Sequence, residues 1–205
     1  FLGSTANHVT AIGDSSLVHN TASENVALGY KALFNNTTGQ ANTASGSTAL
    51  AANTTGGNNT AMGYASMFFN TTGDYNSGYG ENTLYANTTG DFNTAVGVFA
   101  LADNTTGYNN TAMGSGSLSA NSTGIANTAI GFNSLLSNTT AISNTAVGAE
   151  ALKNTTTGGN NTALGRAALL SNSTGALNTA AGYFSLNANT TGFQNAAYGA
   201  ESMYS

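Results

Sequence analysis

An apolar residue, nearly always Leu, recurs through the chain at Leu17, Leu33, Leu50, Met67, Leu84, Leu101, Leu118, Leu135, Leu152, Leu169, Leu186 and Met203. Small and polar residues fill the intervals in a fixed order. One unit reads Asn-Thr-Ala-x-Gly-x-x-Ala-Leu-x-x-Asn-Thr-Thr-Gly-x-x, as at Asn93 to Asn109. The leading Asn falls at Asn25, Asn42, Asn59, Asn76, Asn93, Asn110, Asn127, Asn144, Asn161, Asn178 and Asn195, and every interval is 17 residues. Counting from this Asn as position 1, the recurrent Leu stands at position 9. Self-similarity at a fixed period marks an array in which each unit buries its apolar face against the next.

A helical unit is excluded, because two fixed Gly and several Asn and Thr in 17 residues would break any helix. Thr, Val, Ile and aromatic residues in short runs between Asn and Gly read as short strands joined by turns. The expectation is an all-β parallel β-solenoid of about twelve 17-residue coils, each with two strands of about five residues and two turns. Coils stacked at about 4.8 Å would make a rod of roughly 50 Å. The start is irregular: Val9-Thr10-Ala11-Ile12-Gly13 and Leu17 are in register, but the turn at Asn20-Thr21-Ala22-Ser23 is one residue short. Residues 1–24 therefore read as atypical first coils and residues 25–205 as the regular array. Neither end of the pattern resembles a cap, which predicts a longer fibre or units stacking end to end.

Asn at one place in every coil can hydrogen-bond to its copies along the axis, so the position 1 residues Asn25 to Asn195 are expected to form a structural ladder. The Asn-Thr-Thr-Gly stretch reads as a turn. It also matches the Asn-x-Ser/Thr acceptor pattern, which makes Asn36, Asn53, Asn70, Asn87, Asn104, Asn121, Asn138, Asn172 and Asn189 possible glycosylation sites. At positions 3 and 4, Ala and a variable residue are adjacent, so one faces inward and the other outward. Which is which stays open. With Ala inside, Ile12, Leu28, Met62, Val96, Met113, Ile130, Val147 and Leu164 would align outside as an apolar stripe, interrupted at Ser45, Tyr79, Ala181 and Tyr198. Such stripes mark interfaces, and a parallel homotrimer is the expectation. With Ala outside, the chain could be a monomer.

Composition narrows the function. Three Lys and Arg against eight Asp and Glu provide no basic stripe for phosphates, so nucleic acid is not an expected partner. No apolar run is long enough to cross a membrane and residues 1–4 lack a signal-like start, so any export signal or anchor is expected outside this chain. Cysteine is absent. His8 and His19 lie in the atypical coils, and Asp14, Glu24, Asp74, Glu81, Asp91, Asp103, Glu150 and Glu201 fall at scattered phases. No catalytic residue, metal site or cofactor site is predicted, and the chain reads as a non-enzyme. Thr-Thr pairs such as Thr54-Thr55 and Thr88-Thr89 raise ice binding as a minor alternative, although adjacent Thr would face opposite ways.

The motifs Val9-Thr10-Ala11-Ile12-Gly13 and Asn25-Val26-Ala27-Leu28-Gly29 resemble the head repeats of YadA-type trimeric autotransporter adhesins, whose pattern is close to Asn-Ser-Val-Ala-Ile-Gly. The longer unit at Asn161 to Gly175 is similar to repeats in bacterial and phage tail-fibre-domain proteins. This resemblance implies a left-handed parallel β-roll, a homotrimer, and a cell-surface or virion location. The period of 17 instead of about 14, and Thr in place of Val, depart from the adhesin heads. The expected function is a structural fibre or adhesin segment, a rigid extracellular rod that meets an unidentified surface receptor or matrix. The alternative is a subunit of an extracellular filament that stacks on itself.

Overall fold

The computed structural model describes residues 7–204, so the readings of residues 1–4 and of Ser205 lie outside the described residues. The chain is an all-β parallel solenoid of about eleven turns, and no helix occurs among the described residues. Twelve strands, from β1 (Thr10–Ile12) and β2 (Val26–Leu28) to β12 (Ala196–Tyr198), form one parallel sheet in chain order. Thr10 lies opposite Val26, a step of 16 residues; Val26 lies opposite Thr43, and the step is 17 from there on. The single omitted residue therefore falls in the first turn of the array.

Each coil holds one strand of three residues, where two of about five were expected. Two backbone features bound it. The residue before position 1 is left-handed in every coil, for example Asn109 at φ 58°, and the Gly at position 5 has φ near 130°, as in Gly114 at 133°. Neither conformation continues a strand. The stretch expected to form the second strand is instead a pair of turns. Ala49 N–H donates to Gly46 C=O and Asn53 N–H to Leu50 C=O, closing one turn after the other.

These turns still pair along the axis. The position 7 N–H donates to the coil before, as Thr48 does to Tyr30, and the position 9 N–H donates to the coil after, as Leu50 does to Ser66. Both positions are left-handed in every coil: Thr48 has φ 58° and Leu50 has φ 51°. An isolated Leu avoids this region. Here the conformation is held because it aims successive N–H groups at carbonyls of neighbouring coils and drops the Leu side chain into the core.

The core is a narrow seam in which the strand faces the turns. Position 3 Ala and position 9 Leu are fully buried through the middle of the rod, Ala95 with Leu101 and Ala163 with Leu169 among them. The seam has no spare volume. At Gly78, which replaces the strand Ala, a Cβ would lie 2.7 Å from Ser66 Oγ and 2.8 Å from Thr83 Oγ1. Ser66 and Thr83 occupy position 8, which Ala and Ser share in the other coils, and their hydroxyls are hydrogen-bonded to each other at 2.7 Å. The space that a methyl at Gly78 would fill is thus taken by these two hydroxyls.

Candidate interaction surface

Interior polar groups are paired first, and this decides what the outside can offer. Position 1 Asn residues stack as expected: Asn93 Oδ1 accepts the Asn110 backbone N–H at 3.0 Å and Asn110 Nδ2 at 3.1 Å. Asn93 Nδ2 crosses the coil to Gly107 C=O at 2.8 Å. All from Asn25 to Asn178 are buried, and Asn195 is partly so.

A second ladder runs at position 12 through the residues read as glycosylation candidates. Asn53 Nδ2 donates to Asn36 Oδ1 at 2.7 Å, Asn70 to Asn53 at 2.8 Å, Asn87 to Asn70 at 2.7 Å and Asn104 to Asn87 at 2.7 Å. The other amide hydrogen goes to the position 15 carbonyl, as from Asn104 to Gly107 at 2.9 Å. Asn36, Asn53, Asn70, Asn87, Asn104, Asn121, Asn138 and Asn172 are fully buried. A glycan on Nδ2 would remove one of these hydrogens and need space that the interior lacks. The glycosylation reading is therefore corrected for these eight, whose Asn the fold needs for the ladder; Asn189, the ninth candidate, is part-buried and donates to Asn172 Oδ1 at 2.8 Å. The Thr directly after this Asn donates to the next coil, Thr54 Oγ1 to Thr71 C=O at 3.0 Å, whereas the acceptor-pattern Thr one residue further, Thr55, is exposed.

The one buried side-chain atom without a partner among the described residues shows how tightly the ladder is matched. It is Asn138 Oδ1. Its partner in the next coil would be an Asn at 155, but Thr155 stands there and donates to Asn172 C=O at 3.0 Å. The coil of Asn138 also carries Ala141 where the others have Gly. A Cβ at the equivalent Gly124 would lie 2.8 Å from the next coil's Asn138 Nδ2. Ala141 and an Asn at 155 would collide in the same way. The two departures compensate, which predicts strong coupling: Thr155→Asn alone gains nothing, whereas Ala141→Gly with Thr155→Asn stabilises by about 1–2 kcal/mol, with a coupling energy of at least about 1 kcal/mol. Urea unfolding midpoints of the two single variants and the double variant check this.

Outside, the orientation question has a definite answer. Position 3 Ala points inward and position 4 outward: Ala112 is fully buried while its neighbour Met113 is 42% exposed. Leu28, Met62, Tyr79, Met113, Ile130, Val147 and Leu164 are likewise exposed, and the register places them in one column along the sheet. Position 2, mostly Thr, forms a parallel half-buried column beside it. The Thr-Thr pairs lie at a corner, where the first hydroxyl is bonded to the next coil and the second, as in Thr55 and Thr89, is exposed. Each Thr column is therefore single and not one of a matched pair.

Titratable groups are sparse and peripheral. His8 is exposed, and His19 lies edge-on to the Phe34 ring with Nδ1 2.9 Å from its carbonyl. Asp74 Oδ1 accepts Gly57 N–H at 2.6 Å and Asp91 Oδ1 accepts Asp74 N–H at 2.8 Å, so these two carboxylates serve the axial pairing. Lys153 donates to Glu150 at 2.9 Å and, by that hydrogen bond and its charge, holds the carboxyl below its ordinary value. Among the described residues no three His, Cys, Asp or Glu side chains gather to hold a metal ion. No family model matches the chain, and comparison with curated proteins and with solved structures likewise returns no match.

Proposed function

We propose that this chain is a rigid shaft segment of an extracellular or virion fibre, akin to trimeric adhesin heads and tail-fibre repeats, and that it works as a parallel homotrimer of left-handed rolls. One observation supports this above the others: the column of position 4, apolar but for interruptions such as Ser45, faces outward along the sheet. Apolar surface of that continuity is normally covered by a partner. Because the column repeats with the coil, a second and third copy in the same register present the same residues at the same height, as a closed symmetric assembly requires. No catalytic role is proposed; the rod would hold a receptor-binding or matrix-binding surface at a distance.

The test is the mass in solution by light scattering. Trimers give three times the 20.4 kDa of the chain, with no added glycan mass. Met113→Lys with Ile130→Lys should convert them to monomers while the circular dichroism stays that of the wild type, because both side chains point away from the core. A monomeric wild-type chain would overturn the proposal, and uniform long filaments would favour end-to-end stacking.

A further inference from the structure

The coils are not all alike on the wall that lies across the core from the sheet. Position 10, just after the core Leu, carries a row of rings in the early coils with two gaps: Phe34, Ala51, Phe68, Tyr85, Ala102. Phe68 and Tyr85 stack on each other, centroids 5.6 Å apart and planes 19° from parallel, and Phe69 packs edge-on against both. With their inner faces together, Phe68 turns its other face to the gap at Ala51 and Tyr85 turns its other face to the gap at Ala102. Each gap is the floor of a hollow. One, of about 360 Å³, is lined by Tyr30, Lys31, Phe34, Asn35, Ala51 and Phe68 among others. The other, of about 490 Å³, includes Tyr64, Asn82, Tyr85, Phe99, Ala102 and Asp103. Thr48 and Phe68 line both, so they form one groove.

We infer that this groove binds neutral polysaccharide, with one sugar ring seated over Ala51 against Phe68 and another over Ala102 against Tyr85. Two coil steps separate Phe34 from Phe68, roughly 9.6 Å at the usual strand spacing. That leaves room for one ring between them, thick enough for a puckered pyranose. Aromatic faces suit the C–H faces of such a ring. The polar groups at the rim, Lys31, Asn35, Asn82, Asp103 and Tyr64, offer both donors and acceptors to hydroxyls.

Other occupants fit less well. A peptide strand would need free backbone N–H and C=O groups, but on this wall they are paired between coils, as Ala52 N–H is to Phe68 C=O and Ala86 N–H to Ala102 C=O. A nucleic acid would bring phosphates to a chain with net charge −5, with Asp103 inside the groove. Both hollows are open to the surface, which suits a polymer whose chain enters and leaves across the rod better than an enclosed small ligand.

The experiment uses the whole chain and a panel of neutral hexasaccharides: β-1,4-linked glucose, β-1,4-linked N-acetylglucosamine and α-1,4-linked glucose. Binding is followed through the tyrosine ring signals in nuclear magnetic resonance. At least one hexasaccharide should shift tyrosine resonances saturably, and Phe68→Ala or Tyr85→Ala should weaken binding about tenfold or more. Ala51→Phe with Ala102→Tyr, which fill the gaps with side chains that other coils carry at this position, should abolish binding with the fold retained. Phe92→Ala, in the Tyr75–Phe92 stack on another wall, should leave it unchanged. Silence from all three sugars overturns the inference, as does binding that survives the filled gaps.

Discussion

Gly114→Ala is expected to cost about 4 kcal/mol, more than the removal of most single core side chains from the rod. Two effects add. Gly114 has φ 133°, a region that L residues avoid at about 1–3 kcal/mol. Its new Cβ would also lie 2.6 Å from Gly131 O and 2.7 Å from Gly131 C, backbone atoms of the next coil that can yield only by prising the coils apart. Gly199→Ala separates the two: φ there is 109°, and among the described residues nothing lies within 4 Å of the added carbon. It should show the strain alone, about a third to a half of the Gly114→Ala loss. Since coils touch only their neighbours, the damage stays local. Amide exchange should lose protection first at the junction of Thr111–Met113 with Thr128–Ile130.

Asn87→Leu is the second large effect, about 3–5 kcal/mol at fixed protein concentration by urea unfolding. The substitution keeps the side-chain volume, so cavity formation is small and the loss reports hydrogen bonding. Asn70 Oδ1 loses its donor and Asn104 Nδ2 loses one acceptor, both at fully buried sites. Each orphaned group costs about 1–3 kcal/mol. Gly90 C=O keeps its bond from Asn76 Nδ2 at 2.8 Å, which limits the damage to those two groups and the lost contact of Asn87 itself. Asn154→Leu, an exposed site one residue before the ladder, should change stability by less than about 0.5 kcal/mol. Equal losses at both sites would mean that the ladder is not the source of the stability.

A good part of this fold can be read from the chain because the period acts as a ruler. Seventeen residues between identical Asn, Gly and Leu force identical environments, and an apolar residue at every position 9 can only be a core. The position 1 ladder followed from the same argument. The position 12 ladder was missed: Asn36 and its equivalents precede Thr-Thr-Gly, and the turn and acceptor readings both accounted for them. The overlooked signal was the Gly three residues later, since the position 15 Gly has ordinary φ and is Gly only because a Cβ would strike the Asn amides and the next coil. The unevenness of position 10 was also visible, but nothing in the sequence says that Phe68 and Tyr85 stack with a gap on either side.

By itself, the sequence determined the period, the parallel stacking of coils and the buried Leu, because each of these depends only on which residue recurs where. Tertiary structure decided the shape of the coil and the direction of its faces. Leu50 and Phe99 sit at φ 51° and 58°, in a region their own preferences disfavour, because the coils above and below need those N–H groups as donors. The expected second strand yields to turns for the same reason. Ala112 faces in and Met113 out because the seam between strand and turns is only as wide as one Ala against one Leu. A local pattern can state that two neighbours face opposite ways; only the packed interior has a width that chooses between them.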